Sequence, residues 1–172
     1  MIFGVNINML NFEYAVIKIF EKEGFDKVTN DSDDSGGLTK WGISKKAFPG
    51  YDIENLTYQE AKDIYKKYYW APLGCEYIHS DKIAMELLDF GVNAGPATAI
   101  KCIQRALNLI QYPVTIDSRM GPTTVGKINE AIINYEQALF MGLIGFEFMH
   151  YYTLVQRDPK QLKFIKGWLA RL

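Results

Sequence analysis

Apolar residues fall at helical spacing early in the chain. Phe12, Ala15, Val16, Ile19 and Phe20 recur every three or four positions, the stripe of an amphipathic helix with Asn11 as its N-cap and Gly24 as its stop. The period disappears over residues 26–37, where Asp, Asn, Ser and Gly predict a loop. Thr39, Trp41 and Ile43 then alternate, which predicts a short strand, one arm of a small β-element near residues 38–44. Thr57 and Glu60 form a capping box that opens a helix carrying Ala61, Ile64, Tyr65 and Tyr68 and ending at Tyr69-Trp70. Ser80 caps another, with Ile83, Ala84, Leu87, Leu88 and Phe90 as its stripe. The segment Gly91-Val92-Asn93-Ala94-Gly95-Pro96 is expected to break that helix, and Pro96 to start the next, through Ile100, Ile103, Ala106 and Leu107. Pro122 starts one more, through Val125, Ile128 and Ile132, and residues 135–155 are apolar nearly all round, the pattern of a central buried helix. Asp158-Pro159 opens a last helix ending at Trp168-Leu169. The class is mainly α.

Composition narrows the chemistry. The 172 residues suit one domain, and 48% hydrophobic content is ample for its core. Eleven tyrosines and three tryptophans exceed what such a core needs, and amphipathic rings of this kind stack on sugars or bases. A net charge of −1 removes the electrostatic case for nucleic acid and gives no global pull toward an anionic polymer. Cys75 and Cys102 are too few for a disulfide scaffold; they read as buried free thiols, or as one bridge outside the cytoplasm. With His79 and His150 as the only histidines, no zinc-ligand spacing appears, so neither metal nor cofactor is expected. The N-terminal segment has no basic start, and its apolar run is broken by Asn6 and Asn8, which argues against a secretory signal. No run approaches the roughly 18 apolar residues that span a bilayer, so stable membrane insertion is not expected.

The sharpest local signal is acidic. Glu23 sits at a helix C-terminus beside Phe20 and Phe25, where the helix dipole and apolar neighbours both favour the neutral acid that a general acid requires. Asp31, Asp33 and Asp34 follow in the loop, and paired carboxyls are the minimum equipment for cutting a glycosidic bond. Taken alone, the same pattern is also that of a solvated acidic turn. Asp31-x-Asp33-x-Ser35-Gly36 begins like a calcium loop, but its twelfth position is Gly42 where a bidentate Glu is needed. Trp41, Tyr69 and Trp70 are candidate sugar-stacking rings and equally candidate core residues. Asn93 either caps its own glycine-flanked turn or reaches into a cleft.

Longer motifs add to this. Glu23-Gly24, then Asn30-Asp31-Ser32-Asp33-Asp34-Ser35-Gly36-Gly37-x-Thr39-x-Trp41-Gly42-Ile43-Ser44, resembles the opening of glycoside hydrolase family 108, a family of peptidoglycan-cutting N-acetylmuramidases that includes secretion activators. Leu56-Thr57 through Tyr69-Trp70 and Asp89-Phe90-x-Val92-Asn93-x-Gly95 fit the same family. From Asn93 through Gln104, Asp117, Gly121-Pro122-x-Thr124 to Phe164-x-x-Gly167-Trp168-x-x-Arg171, the chain resembles the predicted peptidoglycan-binding segment paired with it. The chain departs from the family at Phe25 and Ser118, where glycines are expected, at Ser32 and Ser35, where prolines are, and in a spacer two residues longer before Asn30.

The resemblance implies a lysozyme-like α+β fold in one domain, residues 1–172, with a catalytic segment over 11–90 and a peptidoglycan-binding helical segment over 91–172. It implies hydrolysis of the β-1,4 bond between N-acetylmuramic acid and N-acetylglucosamine, without metal or cofactor. Glu23 takes the position of the catalytic acid. By analogy with phage-type lysozymes, Asp33 is the second carboxylate and Thr39 the hydroxyl that positions water, with Asp31 and Asp34 as alternatives. Asp31, Trp41, Tyr69 and Asn93 are the expected substrate contacts. The implied partner is the glycan strand of bacterial peptidoglycan, met by a monomer in the periplasm or cell wall, with export assisted by a holin-type partner. The rival is a non-catalytic peptidoglycan-binding or secretion-assisting protein of the same fold, which has no need of Glu23, Asp33 and Thr39 together.

Overall fold

The computed structural model describes residues 11–29 and 37–172. The three loop aspartates, Asp31, Asp33 and Asp34, lie outside the described residues. Helix α1 (Phe12–Glu23) is capped as its sequence dictates: the Asn11 side chain accepts from the Glu13 N–H at 2.8 Å, and Gly24 closes it in the left-handed region. Its stripe of Ala15, Val16, Ile19 and Phe20 is fully buried.

The predicted strand is instead a hairpin. β1 (Thr39–Lys40) pairs antiparallel with β2 (Ile43–Ser44), and Trp41-Gly42 is the two-residue turn between them, both with positive φ (56° and 71°). Alternation of Thr39, Trp41 and Ile43 mimics a strand, but Gly42 supplies the backbone freedom that reverses the chain.

Helix α2 (Tyr58–Tyr65) starts at the Thr57–Glu60 capping box and continues as a wider turn through Lys66–Trp70. Helix α3 (Asp81–Ala94), capped by Ser80, runs through Gly91 and Asn93 and ends only at Gly95, so the expected break comes four residues late. Gly91 is there for packing. A Cβ on it would stand 2.6 Å from Leu73 Cδ1, so any larger residue would have to displace that buried side chain. Asn93 therefore lies on a helix and not in a turn.

Helices α4 (Pro96–Leu109) and α5 (Pro122–Arg157) each begin with the expected proline. Helix α5 is made of the two helical segments foreseen in 121–155, joined across a kink at Tyr135, whose backbone is non-helical. Its second half is not the buried centre. Only Leu139, Leu143, Glu147 and Tyr151 are buried there, at a spacing of four, while Met141, Phe148, Met149 and Tyr152 are exposed. By length and composition α5 could cross a membrane, but that buried stripe belongs to the protein core. The helix enclosed on most sides is α3, with Ile83, Ala84 and every residue from Leu87 to Gly91 buried. A tight turn at Pro159–Phe164 leads into α6 (Ile165–Leu169), whose Trp168 stacks on Tyr151 at 5.0 Å. Cys75 and Cys102 are free and buried, and burial pushes both thiols up, Cys102 to about 11.

Both positions at which family glycines are missing have positive φ, 55° at Phe25 and 62° at Ser118. A side chain there costs about 1 kcal/mol. Gln104, fully buried, offsets this at Ser118 by accepting from the Asp117 and Ser118 N–H groups at 3.1 and 3.0 Å and donating to the Asp117 carboxylate at 2.8 Å.

Candidate active site

Four elements converge on Glu23. It is the last residue of α1, and its side chain is one-fifth exposed. The hairpin turn lies directly against it: a Cβ on Gly42 would stand 2.7 Å from Glu23 Cγ and from Tyr65 Oη, and 3.0 Å from Glu23 Oε2. The turn is tied down from both sides. The Tyr65 hydroxyl of α2 donates to the Trp41 carbonyl at 2.9 Å, and the Trp41 N–H donates to the Phe25 carbonyl at 3.1 Å. Burial holds the Tyr65 and Tyr69 phenols above the ordinary tyrosine value, and the nearby Glu23 charge pushes both further the same way.

The fourth element is remote in sequence. Arg171, just beyond α6, places Nη2 2.5 Å from Glu23 Oε1 and Nη1 3.5 Å from Asp89 Oδ1. With its carboxamide oxygen turned toward the guanidinium, Asn93 accepts from Arg171 Nη1 at 2.7 Å and Nε at 3.3 Å. Lys22 holds the other Asp89 oxygen at 2.9 Å, and the Asp89 side chain is buried. Burial disfavours the charged guanidinium, but the bond to Glu23 and the charges of Glu23 and Asp89 outweigh it and hold Arg171 above its ordinary value. The mainly apolar surroundings expected for the Glu23 carboxyl are thus shared with a cation.

The other expected site residues fall in different settings. Thr39 is half-buried on β1; its hydroxyl donates to the Gly37 carbonyl at 3.1 Å, and its backbone pairs with Thr29. Trp41 is buried, edge-on to Phe25 and Tyr58 and tilted against Phe20, with Nε1 3.4 Å from the Leu56 carbonyl. Tyr69 is half-buried beside Tyr65 and lines a groove of about 600 Å³ together with Phe48, Tyr51, Tyr68 and Val92. Asn93 is exposed one residue beyond Val92. Glu23, Tyr69 and Asn93 are therefore brought into one neighbourhood. Sequence reasoning missed the parts played by Phe48, Tyr51, Asp89 and Arg171. The Asp89-Phe90 and Trp168-x-x-Arg171 motifs flagged two of these positions without a chemical role.

Two carboxyls lie deeper. Glu147 of α5 is almost fully buried, accepts from the Tyr151 hydroxyl at 3.0 Å and lies within hydrogen-bonding reach of Glu86 on α3. Burial and the Glu86 carboxyl push Glu147 up to about 9, and burial raises Glu86 as well. Glu86 Oε1 and Glu147 Oε2 have no donor among the described residues, and a single proton shared between the carboxyls supplies one.

Comparison with known proteins agrees with this architecture. The solved structure of Brucella abortus SagA is similar at a TM-score of 0.76 and 24% identity, over 93% of this chain and 88% of that one, which establishes a shared, lysozyme-like fold. No curated protein matches the sequence. The family model described as glycosyl hydrolase 108 matches residues 16–95, which hold Glu23, the hairpin, Asp89 and Asn93. The model described as a predicted peptidoglycan domain matches residues 98–172, which supply Arg171. The first half of the chain thus carries a glycosyl hydrolase 108 domain and the second half a predicted peptidoglycan domain, a pairing that supports a peptidoglycan-related glycoside hydrolase.

Proposed function

We propose that the protein is a muramidase that cleaves the β-1,4 bond between N-acetylmuramic acid and N-acetylglucosamine, with Glu23 as general acid. The observation that carries this reading is the convergence of α1, the hairpin, α2 and the Arg171 segment on that one carboxyl, with α3 holding Arg171 through Asp89 and Asn93, beside an aromatic groove. Proton delivery needs Glu23 neutral and within reach of the leaving oxygen. Arg171 has Asp89 and Asn93 as second partners, so substrate entry transfers the guanidinium to them and frees the acid. Asp33 with Thr39 serves the attacking water or the developing positive charge, as the family resemblance implies. Tyr69 contacts the sugar, Trp41 shapes the turn under Glu23, and Asn93 steers Arg171. The enzyme acts in the periplasm or cell wall.

The ion pair itself favours a second reading, a non-catalytic wall binder in which Arg171 and Glu23 are structural partners. Incubation with purified peptidoglycan separates the two. New reducing muramic-acid ends support the muramidase; reducing glucosamine ends indicate a glucosaminidase, and binding without new ends supports the binder. Glu23→Gln is expected to lose about 10²–10⁴ in lytic rate. A loss of about tenfold or less removes Glu23 from the role of general acid.

A further inference from the structure

Away from Glu23, α4 and α5 enclose a second groove of about 540 Å³. Lys101 and Arg105 line it from α4, and His150 and Arg157 from α5, while Phe146 and Met149 provide apolar wall. Among the described residues, no acidic residue lines it. Lys101, Arg105 and Arg157 are exposed, and none has an acidic partner among the described residues. In a chain of net charge −1, three such cations around one concavity are a local concentration of positive potential. Their fields overlap inside it: Arg105 and Lys101 both oppose the upward push that burial gives the Cys102 thiol, and Arg157 adds to the effect of burial in lowering His150.

We propose that this groove binds the carboxylate-bearing peptide stems of peptidoglycan, as a subsite separate from the glycan cleft. The proposal rests on the reading of the wall as substrate and deepens it. The acetylated sugars of a glycan strand are neutral, and the lactyl carboxyl of muramic acid is tied up in the amide to its stem. The charge of the strand therefore sits on the stem's own carboxylates, which suit exposed Lys and Arg side chains. The volume lies within the range of small-ligand sites, and Phe146 and Met149 can receive the methyl groups of stem alanines. An anionic membrane would also attract these cations, but it is broad and flat, whereas here the charges rim a concavity.

The test compares the wild type with a triple variant, Lys101→Glu, Arg105→Glu and Arg157→Glu. Three materials serve as probes: intact sacculi, glycan strands stripped of stems by an amidase with the lactyl carboxyls so freed converted to neutral methylamides, and vesicles of anionic phospholipid. The expected result is a loss of about tenfold or more in affinity for sacculi, steeper at low salt, with binding to stripped strands unchanged. On sacculi, KM rises and kcat holds. Equal loss on sacculi and stripped strands, or no loss on either, overturns the proposal. Loss confined to vesicles overturns it in favour of a membrane. If the triple variant does not fold, single Arg105→Ala and Arg157→Ala variants must each show the same selective weakening by a few-fold. A wild type that binds sacculi in this way without producing reducing ends removes the muramidase reading and leaves the stem subsite standing.

Discussion

Glu86 and Asp89 lie one turn apart on α3, and the protein neutralises them in opposite ways. Asp89 faces the candidate active site, where Lys22 and Arg171 supply positive charge and Arg171 is shared with Glu23. Glu86 faces α5, where its neighbour is another acid, Glu147, and burial together with the facing carboxyl favours a proton on the pair. Cations can be handed from one acceptor to another as a ligand arrives, which suits a working site. A shared proton requires no room for a long side chain, which suits the α3–α5 contact. The difference lies in geometry: the first cluster opens to solvent through Glu23, and in the second Glu147 is buried against Tyr151 with Glu86 half-buried beside it.

Three changes test this contrast, in decreasing order of effect. Arg171→Ala removes the cation that donates to Glu23 and Asn93 and faces Asp89, and should cost about 2–3 kcal/mol in chemical denaturation. A double-mutant cycle with Glu23→Gln should return a coupling of at least ~0.5 kcal/mol; additive losses would mean that the two groups do not act as a pair. Glu147→Gln should stabilise the protein by about 1–2 kcal/mol at pH 8, because the amide keeps the bond from Tyr151 and supplies the donor that the facing acid lacks. The sign follows from proton counting. An unfolded glutamate titrates near ~4.3, the folded Glu147 near about 9, so between these values the folded state binds more protons. Its contribution is complete below the lower value and is lost as pH rises through the upper one. Melting curves of the wild type should therefore fall across that window, and those of Glu147→Gln should be flatter; equal slopes would show that the acids share no proton. Lys22→Ala is the mildest, about 1 kcal/mol or less by denaturation, because Lys22 is largely exposed and Arg171 remains beside Asp89. A loss as large as that for Arg171→Ala would reverse the ranking of the two cations.

Much of this was legible wherever a few adjacent residues settle the matter. Asn11 and Gly24 bound α1, Thr57 and Glu60 open α2, Ser80 opens α3, and Pro96 and Pro122 begin α4 and α5, each through hydrogen bonds or sterics spanning at most four residues. Where a distant segment decides, the sequence was silent or misleading. Gly91 reads as a helix break, but Leu73 makes it a packing position. Apolarity over residues 135–155 reads as burial, but that face of α5 is half uncovered. At the site, Glu23 was legible from its place at a helix end. Arg171, Asp89 and the Glu86–Glu147 pair were not, because nothing in the local pattern says which charged residues will meet.

The reach of Arg171 also has a consequence for the timing of folding. Its bond to Glu23 closes a span of 148 residues, against 67 for Lys22 and Asp89. Long closures carry the larger entropic cost and tend to form after the shorter contacts have condensed. A contact that forms after the rate-limiting barrier leaves the folding rate nearly untouched, and its removal appears almost wholly as faster unfolding. The residue that neutralises the candidate acid is thereby also a latch on how long each folded molecule persists.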